Sequence, residues 1–260
     1  MQTSPIPAKL PPHKFPYIAV AVKNNGSHIG ILYRINNGDA RLLHLGWHHW
    51  LLDDESIRDG YAWAACEGFS EDEGRDFASW LQKIYKLNNG RIPYGINYWP
   101  GAHFDENGVF TPSRNGLGLT CATFVMSLFE AHSYPIINTG SWEKREDDQQ
   151  WFQDVIERLK DPSQTPAASP EHIDAQINSM GSAVRFRPLE VAAAASIYDI
   201  DPIEFKYAIQ IAEQFKNDLH THSNSHDTSP LQLIAIQHVN PENASLVAQA
   251  VIAKTGKEGK

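Results

Sequence analysis

The chain has few cysteines and no long apolar run, and each shortage excludes a class of protein. Cys66 and Cys121 are the only two cysteines among 260 residues. They form neither a C-x-x-C pair nor a zinc-like spacing, so a disulfide framework is excluded and we expect two reduced thiols. No run approaches the roughly 18 apolar residues of a membrane-spanning helix. We therefore expect no membrane span.

The N-terminal residues also lack the pattern of a secretory signal. No basic segment followed by an apolar stretch is present in the first twenty residues, so no secretory signal is visible. A cytoplasmic location is the expectation, with export that needs no cleaved signal left open.

Positive charge is scarce as well. The 22 Lys and Arg against 31 Asp and Glu give a net charge of −9, and no run of Lys or Arg occurs. Such a chain is a poor candidate for binding the phosphate backbone of nucleic acid. Hydrophobic residues make up 42% of the chain, which is enough for a sizeable folded core.

The order of elements predicts an α+β fold. The pattern indicates three strands, a helix, a long loop and two further helices, at 17–22, 28–35, 40–47, 70–87, 91–118, 120–132 and 143–159. Ser70 is a candidate N-cap with Glu73 as its capping-box partner. We expect a catalytic domain over 1–160, a linker over 161–170 and a helical region over 171–260. The helical segments of that last region are expected near 171–180, 188–198, 202–219 and 241–254.

Cys121 stands directly before an apolar helical run in "GLTCATFVMSLFEA". With Thr120 as N-cap, the cysteine falls in the first helical turn. It is either the first residue of a buried helix face or a nucleophile, because a helix N-terminus and a nearby imidazolium both favour the thiolate. A nucleophile also needs a base within hydrogen-bond reach.

The candidate bases are two histidines on neighbouring predicted strands. With a two-residue turn at Asn37–Gly38, His28 and His44 would point to opposite faces of the sheet. With a three-residue turn at 36–38, His44 faces Gly30 and both rings share one face as diagonal neighbours. His48, four residues after His44, is a rival partner for His28.

A His that opens a strand in "HIGILY", a polar residue in the next strand and a later Cys helix in "LTCATFV" resemble a known family. This order is similar to that of the circularly permuted papain-like hydrolases, which include NlpC-type and lecithin:retinol acyltransferase-like enzymes. The resemblance covers residues 17–140. The "IPYGINYWPG" loop is similar to the loop that precedes the family's Cys helix, although Gly95 and the loop length depart from it.

The resemblance implies a fold in which an antiparallel sheet packs on the Cys-bearing helix. It implies Cys121 as the nucleophile, His28 as the base and His44 as the residue that orients the base. Tyr94 would line the site, and the backbone N–H of Cys121 would stabilise the oxyanion. The activity implied is that of a thiol peptidase or amidase acting through an acyl-enzyme, with a peptide or amide as substrate and no cofactor or metal.

Two alternatives stay open from the sequence. The same fold serves acyltransferases and thioester or lipid-ester hydrolases, for which a flat apolar groove is expected beside Cys121. A non-catalytic binding module is the other alternative, and it predicts that Cys121 is buried away from any histidine. The C-terminal helices are a candidate surface for a protein partner.

Two further groups of residues have competing interpretations. Tyr98 and Trp99 lie in the loop that leads to Cys121, so they are candidate substrate-binding residues rather than ordinary packing. The cluster "HTHSNSHD" at 220–227 fits no standard zinc spacing, and we interpret it as a solvated loop.

Overall fold

The computed structural model describes residues 17–35, 40–55, 60–66, 68–101, 103–112, 114–198 and 201–224, with the backbone alone over 218–224. Within these ranges the chain has one sheet and six α-helices. The predicted α+β class is therefore confirmed. No helix in the described ranges is long and apolar enough to cross a membrane.

The sheet has five antiparallel strands. In the order β4-β3-β2-β1-β5, neighbouring strands are hydrogen-bonded: β1 Ile18–Lys23, β2 Ile29–Tyr33, β3 Arg41–Trp47, β4 Trp50–Asp54 and β5 Tyr61–Ala65. The first three match the predicted strands. Strands β4 and β5 were not predicted, although β4 follows β3 after only two residues.

The register between β2 and β3 is the one that the three-residue turn predicts. Ile31 pairs with Leu43, and Tyr33 pairs with Arg41. The turn itself lies outside the described residues. A Cβ added to Gly30 would lie 2.8 Å from Cβ of His44, so Gly30 and His44 share a face of the sheet.

The two faces of the sheet bury different side chains. Ile29, Ile31 and Tyr33 of β2 belong to the large core that the helices cover. The intervening Leu32 belongs to a smaller cluster on the other face, with Ala19, Ala21, Leu42 and Trp63. This alternation follows from the two-residue period of a strand.

The six helices are α1 Glu71–Asn88, α2 Cys121–Ala131, α3 Asp148–Lys160, α4 Pro170–Ser179, α5 Pro188–Ile197 and α6 Phe205–Asn224. The predicted capping box of α1 is present, because the N–H of Glu73 donates to Oγ of Ser70 and the N–H of Ser70 donates back to Glu73. Thr120 caps α2, and its partner is Thr123. Helix α2 packs on β2 and β3, which brings its N-terminus to the sheet.

The helices after residue 170 pack into the same core as the sheet. Helix α5 contacts β1, β2, β5 and α2, and Val191 and Phe215 belong to the large core together with Leu159 of α3. The predicted linker at 161–170 joins α3 to α4, and these two helices pack against each other. The last predicted helix, 241–254, lies outside the described residues.

Candidate active site

His28 and His44 lie next to each other on the sheet face that also carries Gly30. Nε2 of His28 lies 2.8 Å from Nδ1 of His44, and the two rings meet edge to face. The pair therefore forms the diagonal contact that the register predicts. His48, the rival partner, points elsewhere, because its Nδ1 accepts the backbone N–H of Tyr94 at 3.2 Å.

Asp54 extends the pair into a chain of three residues. Nε2 of His44 lies 3.3 Å from Oδ2 of Asp54, on the strand next to β3. A carboxylate only accepts, so Nε2–H of His44 donates to it, and Nδ1 of His44 then accepts Nε2–H of His28. This tautomer leaves a lone pair on Nδ1 of His28. Asp54 was missed because β4 was not predicted.

The Cys121 thiol lies against the start of β2. Its sulfur is contacted by the backbone N–H of Ile29, the residue that follows His28, and by the N–H groups of Ala122 and Cys121 itself. Burial nevertheless raises the pKa of the Cys121 thiol to about 11, although these N–H groups and Arg185 act in the opposite direction. The expectation of an ionised, low-pKa thiolate is therefore wrong for this state of the protein, because desolvation outweighs the helix N-terminus.

The base candidate is uncharged too. Burial, followed by the neighbouring His44 and Lys23, lowers the pKa of His28 to about 4. Strand alternation directs the His28 ring to the face with Gly30, whereas Cys121 belongs to the core on the other face. Both residues are described, and no hydrogen bond joins the thiol to the ring. A neutral thiol and a neutral imidazole thus flank the backbone of one strand.

Tyr94 lies at the predicted place beside the thiol. Its hydroxyl oxygen accepts the backbone N–H of Cys121, and its ring packs on Trp47 with the centroids 4.4 Å apart. Burial raises the pKa of the Tyr94 phenol, and the nearby Cys121 raises it further. The phenol is therefore a neutral group that could donate to an oxygen near the thiol.

A cavity of about 420 Å³ opens over Cys121 and Tyr94. It is lined by aromatic rings and by charged side chains of α3 and the segment before α5, namely Trp47, Trp151, Asp154, Arg158, Arg185 and Phe186. The two arginines were not predicted as site residues, because no short sequence spacing relates them to Cys121.

Tyr98 and Trp99 do not line this cavity. The Tyr98 hydroxyl donates to Glu130 at 2.9 Å, and its ring meets the ring of Phe186 edge to face. Trp99 is exposed and carries the Arg114 guanidinium 3.7 Å above its ring. The structure thus brings Tyr94 to the thiol, but not the two aromatic residues that follow it in the loop.

Helix α4 holds the Tyr94 loop in place. Nε2–H of His172 donates to the carbonyl of Tyr94 at 2.8 Å. One turn later, Oε1 of Gln176 accepts the N–H of Ile96 at 2.8 Å and its Nε2 donates to the carbonyl of Gly116 at 2.7 Å. The C-terminal helical region therefore positions the residues around Cys121, which the sequence did not predict.

Two glycines let the loop approach the segment before α2. The Cβ of any other residue at 118 would lie 2.6 Å from the Gly95 backbone, and a Cβ at 95 would lie 2.5 Å from Gln176. Gly95, which departs from the family's loop, is thus required by this close contact. Tyr94 pairs with Leu119, which precedes Cys121 by two residues, and this pairing brings Tyr94 next to the start of α2.

Other sequence expectations concern thiols and metals. Cys66 is buried in the large core, and burial raises the pKa of its thiol. Helix α6 continues to Asn224, so the interpretation of 220–227 as a solvated loop is wrong for residues 220–224, and the histidine side chains of this cluster lie outside the described part of the chain. In the described ranges, no group of three or more His, Cys, Asp or Glu is arranged to hold a metal ion.

Comparison with known protein families, with curated proteins and with solved structures finds no match to this chain.

Proposed function

We propose that this chain is a cysteine-dependent hydrolase of the permuted papain-like type, acting on a peptide or amide. The observation that carries the proposal is the chain of His28, His44 and Asp54, which starts one residue from the N–H that contacts the Cys121 thiol. Nucleophilic catalysis needs a thiol at a cavity and an imidazole oriented by further polar groups, and the two lie here on either side of one strand.

The proton path follows from the tautomers. Nδ1 of His28 takes the proton of the Cys121 thiol as the sulfur attacks the carbonyl carbon, and the carbonyl becomes an oxyanion. His28 then gives that proton to the nitrogen of the leaving amine, and the carbon–nitrogen bond breaks to leave a thioester. Water, deprotonated by His28, attacks the thioester and releases a carboxylic acid and the thiol.

This path requires the imidazole of His28 to turn towards the thiol. His28 precedes the first residue of β2, so its side chain lies at the strand end rather than between two paired strands. The backbone is already close, because the next N–H contacts the sulfur. The turn has to keep Nε2 of His28 within reach of Nδ1 of His44, because only then do His44 and Asp54 stabilise the imidazolium that forms when the proton moves.

The composition of the cavity favours an amide over a lipid ester. The lining includes two guanidiniums and the hydroxyl of Tyr94, and it is concave rather than a flat apolar groove. An acyl chain would leave these polar groups desolvated without partners. We therefore place the acyltransferase and lipid-ester alternative behind peptide or amide hydrolysis.

One observation favours a second candidate function. The Cys121 thiol is buried, has a raised pKa and makes no hydrogen bond to His28. A binding module that retains the hydrolase architecture would have this arrangement, and it would hold its ligand in the same cavity without cleaving it.

A covalent trap distinguishes the two functions. We expect a peptide vinyl sulfone to add once to the full-length protein, at Cys121, as read by intact-mass and peptide mass spectrometry. Cys121→Ala should remain unmodified, and Cys66 serves as the internal control for non-specific alkylation. Loss of labelling in His28→Ala supports the hydrolase. Equal labelling of wild type and His28→Ala would show a thiol that needs no base and would contradict it.

A further inference from the structure

Two arginines line the Cys121 cavity, and one of them, Arg185, has two carboxylates nearby, Asp147 and Asp148, which raise its pKa against the larger effect of burial. Arg158 on α3 lies 4.1 Å above the Trp47 ring, and Arg185 lies 4.3 Å above the Trp151 ring. Within the described part of the chain, neither guanidinium forms a salt bridge or a side-chain hydrogen bond. Other arginines of the same region do form them, as Arg187 does with Asp147 and Asp148.

The positive charges of the two guanidiniums lower the pKa of groups at the site. Arg185 lowers the pKa of Cys121, and both arginines lower the pKa of Tyr94 against the larger effect of burial. Each guanidinium lies over the face of an indole, a contact that restrains it without using its N–H donors. The site is thus preorganised for an anion close to the reacting sulfur.

A third donor in the same wall has no partner. Trp47 is 7% exposed, and its indole N–H is buried without an acceptor in the described structure. A buried donor without an acceptor is costly unless a ligand supplies one. The cavity's one carboxylate, Asp154, is exposed and already accepts from Gln150 at 2.9 Å. Two positive charges against one therefore leave the lining with a net positive charge.

We propose that the cavity recognises a carboxylate on a peptide substrate, held between Arg158 and Arg185. A planar carboxylate matches the edge of a guanidinium with two parallel hydrogen bonds. As a statement about the substrate class of the hydrolase, the inference rests on the proposed function. As a statement about binding, it needs no thiol chemistry.

The test measures binding to the full-length Cys121→Ser protein, which cannot turn over substrate. The probes are the acetylated tripeptide amides Gly-Glu-Gly and Gly-Gln-Gly, which differ by one carboxylate, followed by ligand-observed NMR titration. We expect the Glu peptide to bind at least about tenfold more tightly than the Gln peptide. In Arg158→Gln/Arg185→Gln the two peptides should bind equally.

Matched variants separate recognition from folding. Arg114→Gln removes another arginine that is stacked on a tryptophan, outside this cavity, and should keep the preference. Arg158→Gln alone changes an exposed side chain, so it should keep the fold and lose part of the preference. Arg158→Lys should restore part of that loss, because a lysine retains the charge but not the fork.

Three outcomes would overturn the inference. They are equal binding of the two peptides to the Cys121→Ser protein, a preference that survives removal of both arginines, and tighter binding of a third probe, the acetylated tripeptide amide with phosphoserine in place of Glu, than of the Glu peptide. The last would assign the site to phosphate. A Glu preference without any trapping of the wild-type thiol would leave the carboxylate site standing and remove the hydrolase.

Discussion

Two groups of histidines lie on this fold, and they use their ring nitrogens differently. In the first, His28 contacts His44 and His44 contacts Asp54, so hydrogen bonds between side chains connect His28 to a carboxylate. In the second, His48 and His172 both bind the backbone of Tyr94, one at its N–H and the other at its carbonyl. The first group can pass a proton along a line of side chains. The second can only hold a loop.

The two groups also share a physical property. Burial lowers the pKa of His28 and of His48 to about 4, and it lowers the pKa of His172 as well. All three rings are therefore neutral near pH 7. Neutrality gives His28 a lone pair that can accept a proton, and it gives His48 the lone pair that accepts the Tyr94 N–H. The difference in role comes from the partner and not from the pKa.

The sharpest way to separate the groups is to remove one ring from each. We expect His28→Ala to slow vinyl sulfone labelling of Cys121 about a thousandfold, because the general base is lost. His172→Ala should change the rate by less than about tenfold, since it acts only through the position of Tyr94. The rates are measured by intact-mass time courses. A similar loss of rate in both variants would abolish the distinction between the groups.

Within the first group, His44 should matter less than His28. We expect His44→Gln to slow labelling roughly ten- to a hundredfold, because the base loses its orienting acceptor but remains present. The labelling rate is followed from pH 4 to pH 9. If the orienting role is correct, the pH profile shifts as well as the rate. A rate unchanged from wild type would show that the contact between the two rings is structural.

In the second group the expected effect is on stability. His172→Ala removes the donor to a buried carbonyl, so we expect a loss of about 1 to 3 kcal/mol in the free energy of unfolding. Chemical denaturation measures it. His172→Gln, which keeps a donor, should recover part of the loss. If His172→Gln recovers none of the lost stability, packing of the ring rather than the hydrogen bond holds the Tyr94 loop.

The smallest effect is in the response to acid. A histidine whose pKa is lowered on folding takes up a proton more readily when unfolded, so stability is full above about pH 6.5 and falls as the pH drops towards 4. His48→Gln removes one such group. The acid-induced fall in the transition temperature should therefore be smaller than in wild type by roughly 2 to 4 °C for each kcal/mol removed. A steeper fall in the variant would contradict the assigned neutral state.

Local chemistry in the sequence was sufficient for several elements. Ser70 with Glu73, and Thr120 before the apolar run, mark the starts of α1 and α2 because caps and helices are determined by neighbours a few residues apart. The proximity of His28 and His44 was predictable once the register of the three-residue turn at 36–38 was chosen. The sequence could not choose it, because a slip of one residue reverses every side chain.

Site residues that are far from Cys121 in sequence could not be predicted from local patterns. Asp54, Arg158 and Arg185 reach the site from β4, from α3 and from the segment before α5, and no short spacing relates them to Cys121. The protonation state of the thiol was also missed, because burial is a property of the packed molecule.

By itself, the amino-acid sequence determined the helix caps, the first three strands, the placement of Cys121 at a helix start and the presence of a histidine on each of two neighbouring strands. Only the tertiary structure decided which face those histidines occupy, which loop reaches the thiol and whether that thiol is charged. Caps and strand periodicity act over a few residues, whereas register, cavity lining and desolvation depend on contacts between residues that are tens of positions apart.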